Sequence, residues 1–214
     1  MAAPIGMLPR MSGAYEPPDI IGIVLAGGAS ARMGEPKQLL RFRGEPLVRK
    51  AAAAAAEHCA RVIVVTGAIH RPIVEALAGS GAEVIHNDDW REGIATSIRA
   101  GVGALPPDTA ACLVCLTDQP RVGAAAIGKL VAAWRGDPRS IAAAHYGGIA
   151  GVPAIFPADF FGRLAALRGD RGARSLIKGA RDVTVVDLPE AAVDLDTPED
   201  VRNLNGGART DGGC

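Results

Sequence analysis

The chain has 214 residues, with 23 basic and 23 acidic side chains that cancel. This length suits a single domain that can bury its own core without disulfides or a structural metal. The balanced charge argues against a general nucleic-acid binder, which needs a net basic surface, but it permits a small anionic ligand. No apolar run approaches the roughly 20 residues that span a bilayer, so we expect no membrane segment.

Four cysteines are too few for a disulfide framework in a chain of this length. Cys112 and Cys115 lie in the apolar run ACLVCL, which predicts a buried strand. Residues three apart on a strand point to opposite faces, so these two thiols are interpreted as core residues and not as metal ligands. The cysteine usage therefore predicts a reduced, cytoplasmic protein.

The chain shows no linker and no internal repeat. Residues 1–19 contain four prolines and no long apolar stretch, which is typical of a disordered lead-in and not of a signal peptide. We predict a single domain over residues 20–205. The glycine-rich residues 206–214 are predicted to form a loose tail.

Short apolar runs alternate with alanine-rich helical stretches. The predicted strands cover 20–26, 61–66, 82–86 and 111–117, and the predicted helices cover 46–60, 71–78, 93–104 and 124–134. Four β–α repeats predict an α/β fold, a Rossmann-like three-layer arrangement with a mostly parallel sheet. Beyond residue 140 the regular β–α alternation ends. Strands are predicted over 140–146, 153–156 and 182–186, and helices over 158–167, 173–179 and 197–204. This second half is expected to cover the other side of a cleft at the carboxyl ends of the strands.

The loop after the first strand carries the most information. Residues 25–40 read LAGGASARMGEPKQLL, in which glycines let backbone N–H groups face an anion. Arg32 can bind phosphate oxygens with two hydrogen bonds, and Lys37 adds a mobile positive charge. The pattern predicts a triphosphate cradle. Its spacing fits neither a P-loop, which needs a hydroxyl after the lysine, nor a dinucleotide fingerprint, which needs an acid after the second strand.

These residues resemble the signature of the molybdenum-cofactor nucleotidyltransferases, most closely their cytidylyltransferase branch. The family pattern G-G-x-S-x-R-M-G-x-x-K is present from Gly27 to Lys37, and the resemblance extends over about residues 20–204. It implies a fold of the nucleotide-diphospho-sugar transferase type and a loop wrapped around the nucleotide phosphates. The residues it assigns to nucleotide binding in this loop are Leu25, Ala26, Gly27, Gly28, Ser30, Arg32 and Lys37.

Asp118 follows the predicted strand over 111–117, and Asp196 alternates with Asp194 on a short strand near the end of the chain, where only one of the two can face the cleft. The residues alone leave two roles open for Asp118: a ligand of Mg²⁺, which prefers carboxylate oxygens, or a cap on the next helix. The resemblance implies that Asp118 contacts the nucleotide and that Asp118 and Asp196 bind Mg²⁺. It also implies that Arg32, Lys37 and Asp118 are catalytic.

Gly93 and Ser97 lie four residues apart at the start of a predicted helix, so they share one face. Helix amino ends favour anions. The resemblance implies that both residues contact the nucleotide at its pyrimidine, and a packing face of small residues is the alternative.

Two later segments, GIAGVPA and GDRGAR, resemble the acceptor-binding segments of the family. The resemblance implies acceptor binding by Gly151, Pro153, Arg171 and Arg174. A solvated turn with surface charge is the alternative for the two arginines.

The resemblance implies transfer of CMP from CTP to the terminal phosphate of molybdopterin, as the molybdenum cofactor, with release of pyrophosphate. Mg²⁺ is the implied cofactor, and a recipient molybdoenzyme or its maturation factor is a further partner. Residues 25–28 have the sequence typical of the family's guanylyl members, so GTP remains an alternative nucleotide substrate. Three other hypotheses are another phosphorylated acceptor, a nicotinamide-dependent reductase and a silent module that carries the cofactor. We expect neither nucleic acid nor membrane as a partner.

Overall fold

A computed structural model describes residues 20–30, 34–195 and 199–200. The strands are β1 (Ile20–Ala26), β2 (Arg41–Phe42), β3 (Glu45–Pro46), β4 (Arg61–Thr66), β5 (Glu83–His86), β6 (Ala111–Leu116), β7 (Ile141–Tyr146), β8 (Ile149–Pro157) and β9 (Val183–Asp187). The α-helices are α1 (Leu47–Ala56), α2 (His70–Ala76), α3 (Ile94–Gly103), α4 (Ala124–Gly136), α5 (Phe161–Ala165) and α6 (Arg174–Gly179). Four short 3-10 helices cover Lys37–Leu39, Trp90–Glu92, Ala158–Phe160 and Pro189–Ala192.

Seven strands form one sheet in the order β5-β4-β1-β6-β8-β7-β9, and β2 pairs with β3 in a separate small hairpin. β1 lies at the centre and pairs in parallel with both β4 and β6. β8 is antiparallel to both of its neighbours, and the other pairs in this sheet are parallel. The predicted mostly parallel sheet is confirmed. One edge of it presents the carboxyl ends of β1, β6 and β7 beside the start of β8.

Helices cover both faces of the sheet. Val24 of β1 belongs to the core under α1, α2 and α4, whereas its neighbour Ile23 belongs to the core under α3, α5 and α6. This alternation is the period of two that a strand imposes. It makes the continuous apolar run of β1 a strand buried on both faces, and the predicted three layers are confirmed. Cys112 and Cys115 also fall in opposite cores, as predicted.

Several predicted boundaries were wrong. The helix predicted over 46–60 ends at Ala56, because the chain turns there to begin β4 at Arg61. The strand predicted over 153–156 begins at Ile149, since its pairing with β7 continues to the turn and leaves only residues 147–148 outside the ladder. The β2–β3 hairpin was not predicted.

The described ranges limit three other predictions. The last helix, predicted over 197–204, is described only at residues 199–200, which are helical. The predicted lead-in and tail fall outside the described residues. No helix in the described ranges has both the length and the apolar character needed to cross a membrane.

Candidate active site

A cavity of about 380 Å³ lies at the carboxyl ends of β1 and β6, beside the amino end of α3. This is the edge at which open α/β sheets bind their ligands. Its lining brings together residues that are far apart in the sequence. Among those predicted to bind the nucleotide, it includes Leu25, Gly27, Gly28, Lys37, Gly93, Ser97 and Asp118.

Lys37 and Asp118 face each other across the cavity. The Lys37 Nζ atom donates a hydrogen bond of 2.6 Å to Asp118 Oδ2, and both side chains are about one-fifth exposed. The second carboxylate oxygen, Oδ1, is buried and has no hydrogen-bond partner among the described residues. A buried oxygen without a partner is costly unless a ligand satisfies it, and a carboxylate oxygen suits a divalent cation. The Asp118 side chain therefore fits a metal ligand better than a helix cap.

The segment that leads to Asp196 passes next to this aspartate. The Leu195 N–H donates a hydrogen bond of 3.0 Å to the backbone oxygen of Asp118. Asp196 and Arg32 themselves lie outside the described residues, so their predicted roles stay predictions.

The floor of the cavity is formed where Gly27 meets α3. A Cβ atom added at Gly27 would lie 2.7 Å from Ser97 Oγ, which is closer than real Cβ atoms come. Ser97 Oγ accepts a hydrogen bond of 3.0 Å from Asn87 Nδ2, and the same amide donates to Thr96 Oγ1 at 2.7 Å. Asn87 was not singled out from the sequence, although an amide directly after β5 could have drawn attention to it.

Two residues of the predicted cradle do not line the cavity. Ala26 is buried in the core beneath α1, and its carbonyl oxygen accepts a hydrogen bond of 3.2 Å from Gln38 Nε2. Ser30 Oγ accepts a hydrogen bond from the Lys37 backbone N–H at 3.0 Å and donates to Gln38 Oε1 at 3.3 Å. Both residues therefore support the loop without lining the cavity. Gln38 is the residue that links them, and sequence reasoning gave it no role.

The amino end of α3 forms another wall. Gly93 precedes the helix with a φ of 110°, a conformation that favours glycine, and it has no side-chain cap. The Ala95 N–H donates to the backbone oxygen of Gly169 at 3.1 Å, so the loop around residue 169 closes over this helix start. Through that loop Asp170 enters the lining.

An aromatic–cation pair borders the same cavity. The guanidinium carbon of Arg91 lies 4.3 Å from the centre of the Trp90 ring, and both residues line the cavity. Flat π surfaces of this kind stack on other planar groups. Both residues precede Gly93 in the chain, but sequence reasoning assigned neither of them a role.

The four residues predicted to bind the acceptor do not line this cavity. Gly151 packs against Tyr146, whose hydroxyl oxygen lies 2.8 Å from the position of an added Cβ, and the Val152–Pro153 peptide is cis. Arg171 lines a separate depression of about 430 Å³. Arg174 begins α6.

Tyr146 and Gln119 link β8 to the segment that carries Asp118. Tyr146 Oη and Gln119 Nε2 both donate to the Val152 oxygen, at 3.0 and 3.2 Å. Burial raises the pKa of the Tyr146 hydroxyl, with the negative charge of Asp194 adding to the effect, so the hydroxyl stays protonated at neutral pH. The structure thus places a neutral donor and a buried amide beside β8.

Residues 22–185 match the family model described as the MobA-like NTP transferase domain. The chain belongs to this family. It is a nucleotidyltransferase, and its sheet and helices have the nucleotide-diphospho-sugar transferase fold.

Relatives of this transferase carry different names. Nicotine blue oxidoreductase of Paenarthrobacter nicotinovorans is 31% identical over 194 residues, covering 86% of this chain and 92% of the relative. Molybdenum cofactor cytidylyltransferase of Escherichia coli is 28% identical over 180 residues, covering 83% and 91%. Molybdenum cofactor guanylyltransferase of Rhodobacter capsulatus is 32% identical over 192 residues, covering 85% and 93%.

The transferase is also similar to solved structures. The crystal structure of Rv0371c from Mycobacterium tuberculosis superposes with a TM-score of 0.76 at 30% identity, covering 88% of this chain and 98% of that one. A manganese complex of the same mycobacterial protein superposes with a TM-score of 0.72 at 29% identity, with the same coverage.

Proposed function

We propose that this nucleotidyltransferase moves CMP from CTP to the terminal phosphate of the molybdenum cofactor and releases pyrophosphate. One observation carries the proposal: a single cavity holds a glycine-rich loop, the Lys37 amine and the Asp118 carboxylate with its unsatisfied oxygen. These are the groups that a bound triphosphate needs, namely backbone donors, a positive charge and a ligand for a cation. The relatives named for transfer to the molybdenum cofactor support the acceptor.

The reaction is a substitution at the α-phosphorus of the nucleotide. An oxygen of the acceptor phosphate forms a new bond to this phosphorus, and the bond to the bridging oxygen breaks. Pyrophosphate leaves with that electron pair. The attacking oxygen already carries negative charge, so no serine, cysteine or histidine nucleophile is required. Rate enhancement then comes from positioning the two phosphates and from neutralising their charge.

Each group of the cavity has a part in this scheme. Lys37 neutralises charge that develops on the leaving pyrophosphate. The amides of Gly27 and Gly28 supply further partial positive charge. Asp118 would hold a divalent cation such as Mg²⁺, with Asp196 as the predicted second ligand and Arg32 as a predicted phosphate contact. When bound, that cation offsets the negative charge of the phosphates.

Two other candidates are each favoured by a specific observation. GTP is favoured by residues 25–28, which read Leu-Ala-Gly-Gly as in guanylyl members, and by the relative from Rhodobacter capsulatus. A redox function is favoured by the relative named nicotine blue oxidoreductase, which matches most of this chain. However, β4 ends at Thr66 and is followed by Gly67, so it lacks the acid that binds a dinucleotide ribose.

One assay separates these functions. The purified protein is incubated with Mg²⁺ and CTP or GTP, with molybdenum cofactor or a sugar phosphate as acceptor, and pyrophosphate is measured. We expect pyrophosphate release with CTP and the molybdenum cofactor. Release with GTP alone would move the proposal to the guanylyl reaction, and oxidation of NADH without pyrophosphate would refute it in favour of a reductase.

Two substitutions test the roles of the cavity residues. Lys37→Ala and Asp118→Ala should each lower turnover about 100-fold or more, the scale of a lost transition-state contact. Lys129→Ala is the matched control, because this lysine is exposed on α4 and forms only a 4.0 Å ion pair with Glu190. The control should keep turnover within about twofold. Near-normal turnover of either cavity variant would contradict the assigned role.

A further inference from the structure

Two buried glutamines hold opposite walls of the cleft by similar contacts. The side chains of Gln38 and Gln119 are among the buried polar groups, with relative exposures of 1% and 4%. Each donates from Nε2 to two backbone oxygens, which lie 12 and 10 residues before Gln38 and 33 and 72 residues after Gln119. A buried amide that bridges two carbonyls fixes their separation, because leaving either carbonyl unsatisfied costs free energy.

Gln38 lies behind the glycine-rich loop. Its Nε2 donates to the Ala26 oxygen at 3.2 Å and to the Gly28 oxygen at 2.6 Å, so one amide spans the point where β1 becomes the loop. Its Oε1 accepts from Ser30 Oγ at 3.3 Å, and Ser30 Oγ accepts from the Lys37 backbone N–H at 3.0 Å. These contacts tie both ends of the loop to a single side chain.

The backbone of this loop needs such support. Ser30 has a φ of 52°, a left-handed conformation that residues other than glycine seldom adopt. Strained residues of this kind persist only when surrounding contacts fix them. The contacts of Gln38 and Lys37 with Ser30 Oγ provide this constraint. They also set the path of the chain into Lys37, whose amine reaches Asp118.

Gln119 lies on the opposite side, directly after Asp118. Its Nε2 donates to the Val152 oxygen at 3.2 Å, at the cis peptide of β8, and to the Ala191 oxygen at 2.9 Å. Neither of these two carbonyls belongs to the glycine-rich loop. The same type of side chain therefore holds β8 and the segment around Ala191 next to Asp118.

We infer that Gln38 is a positioning residue that sets the affinity for the nucleotide by fixing the backbone of the glycine-rich loop, whereas Gln119 holds backbone outside this loop. This inference rests on the proposed transferase function. Neither residue contacts the reacting atoms in this scheme. Each acts through the backbone that it holds, and the two sets of bridged carbonyls do not overlap.

The experiment compares Gln38→Met with Gln119→Met, two variants that keep side-chain length and remove all hydrogen bonds. Nucleotide binding is followed through the fluorescence of Trp90, which lines the cavity, and so needs no turnover. Gln38→Met should weaken CTP or GTP binding about tenfold, because the loop loses the three hydrogen bonds that hold its backbone ready for the phosphates. It should leave the KM for the acceptor within about twofold. Gln119→Met, which removes two hydrogen bonds outside the glycine-rich loop, should weaken nucleotide binding less than Gln38→Met does.

Thermal unfolding and amide exchange distinguish positioning from loss of fold. Gln38→Met should increase exchange in residues 27–40 with the rest unchanged, and Gln38→Glu, which has no amide donor, should do the same. Equal losses of nucleotide affinity in both variants would overturn the inference in favour of a merely structural role. If the wild-type protein binds nucleotide, an unchanged nucleotide affinity in Gln38→Met would also overturn the inference. Failure of the wild type to bind any nucleotide would refute the proposed function itself.

Discussion

The close approach of Gly27 to Ser97 gives a quantitative prediction for stability. A Cβ added at Gly27 lies 2.7 Å from Ser97 Oγ but 3.8 Å from Ser97 Cβ, so the conflict involves the hydroxyl alone. The hydroxyl cannot rotate away freely, because Asn87 Nδ2 holds it at 3.0 Å. Gly27→Ala should therefore destabilise the protein by about 1–3 kcal/mol, the usual cost of overpacking. Ser97→Ala removes one hydrogen bond and should cost about 1 kcal/mol.

The double variant should be more stable than the sum of the two changes predicts. Removing the hydroxyl leaves an ordinary contact at 3.8 Å, so most of the overpacking cost disappears. We expect a coupling free energy of about 1–2 kcal/mol, measured by urea unfolding of the four proteins at 25 °C. Gly28→Ala is the matched control, because the nearest atom to its added Cβ is 3.9 Å away. Additivity of the Gly27 and Ser97 changes within about 0.5 kcal/mol would refute the reasoning.

Three further predictions concern the rest of the described fold. Gly67→Ala should lower the free energy of unfolding by about 1–3 kcal/mol, because its Cβ would lie 2.6 Å from the Gly27 oxygen. Gly103→Ala, which meets no such neighbour in the described part of the chain, should raise it by about 0.5–1 kcal/mol. Trp134→Ala should destabilise by about 3–5 kcal/mol, because this side chain is only 1% exposed. Burial raises the pKa of the Cys59 thiol from 9.0 to about 12, so stability should fall as pH rises through this range. The fall measured by urea unfolding should be smaller in Cys59→Ala; an equal fall would contradict the assignment.

The positions of Lys37 and Asp118 could be predicted from the sequence. Both follow apolar runs that read as parallel strands, and the carboxyl ends of such strands meet at one edge. The run from Ile20 to Ala26 is apolar throughout, and β1 has the bounds predicted from it. Buried strands are therefore the best-predicted part of this fold.

Side chains that act through the backbone could not be predicted in this way. Gln38 follows Lys37 in a loop rich in polar residues, and nothing in its neighbours reveals that the chain folds back over it. Gln119 has the same difficulty, since its partners lie 33 and 72 residues away in the chain. The direction of β8 also escaped prediction, because a short apolar run reads the same in either orientation.

The reversed direction of β8 affects how this enzyme can diversify. Its connection to β7 is a two-residue turn, Gly147–Gly148, at the same edge as the candidate active-site cavity. Longer hairpin turns cost little, about 0.6 kcal/mol for each doubling of a flexible loop. Insertions there alter the rim of the cleft without moving β1 or β6. Under the proposed function, such insertions would change selectivity for the molecule that receives the nucleotide and would leave the loop proposed to hold the triphosphate unchanged.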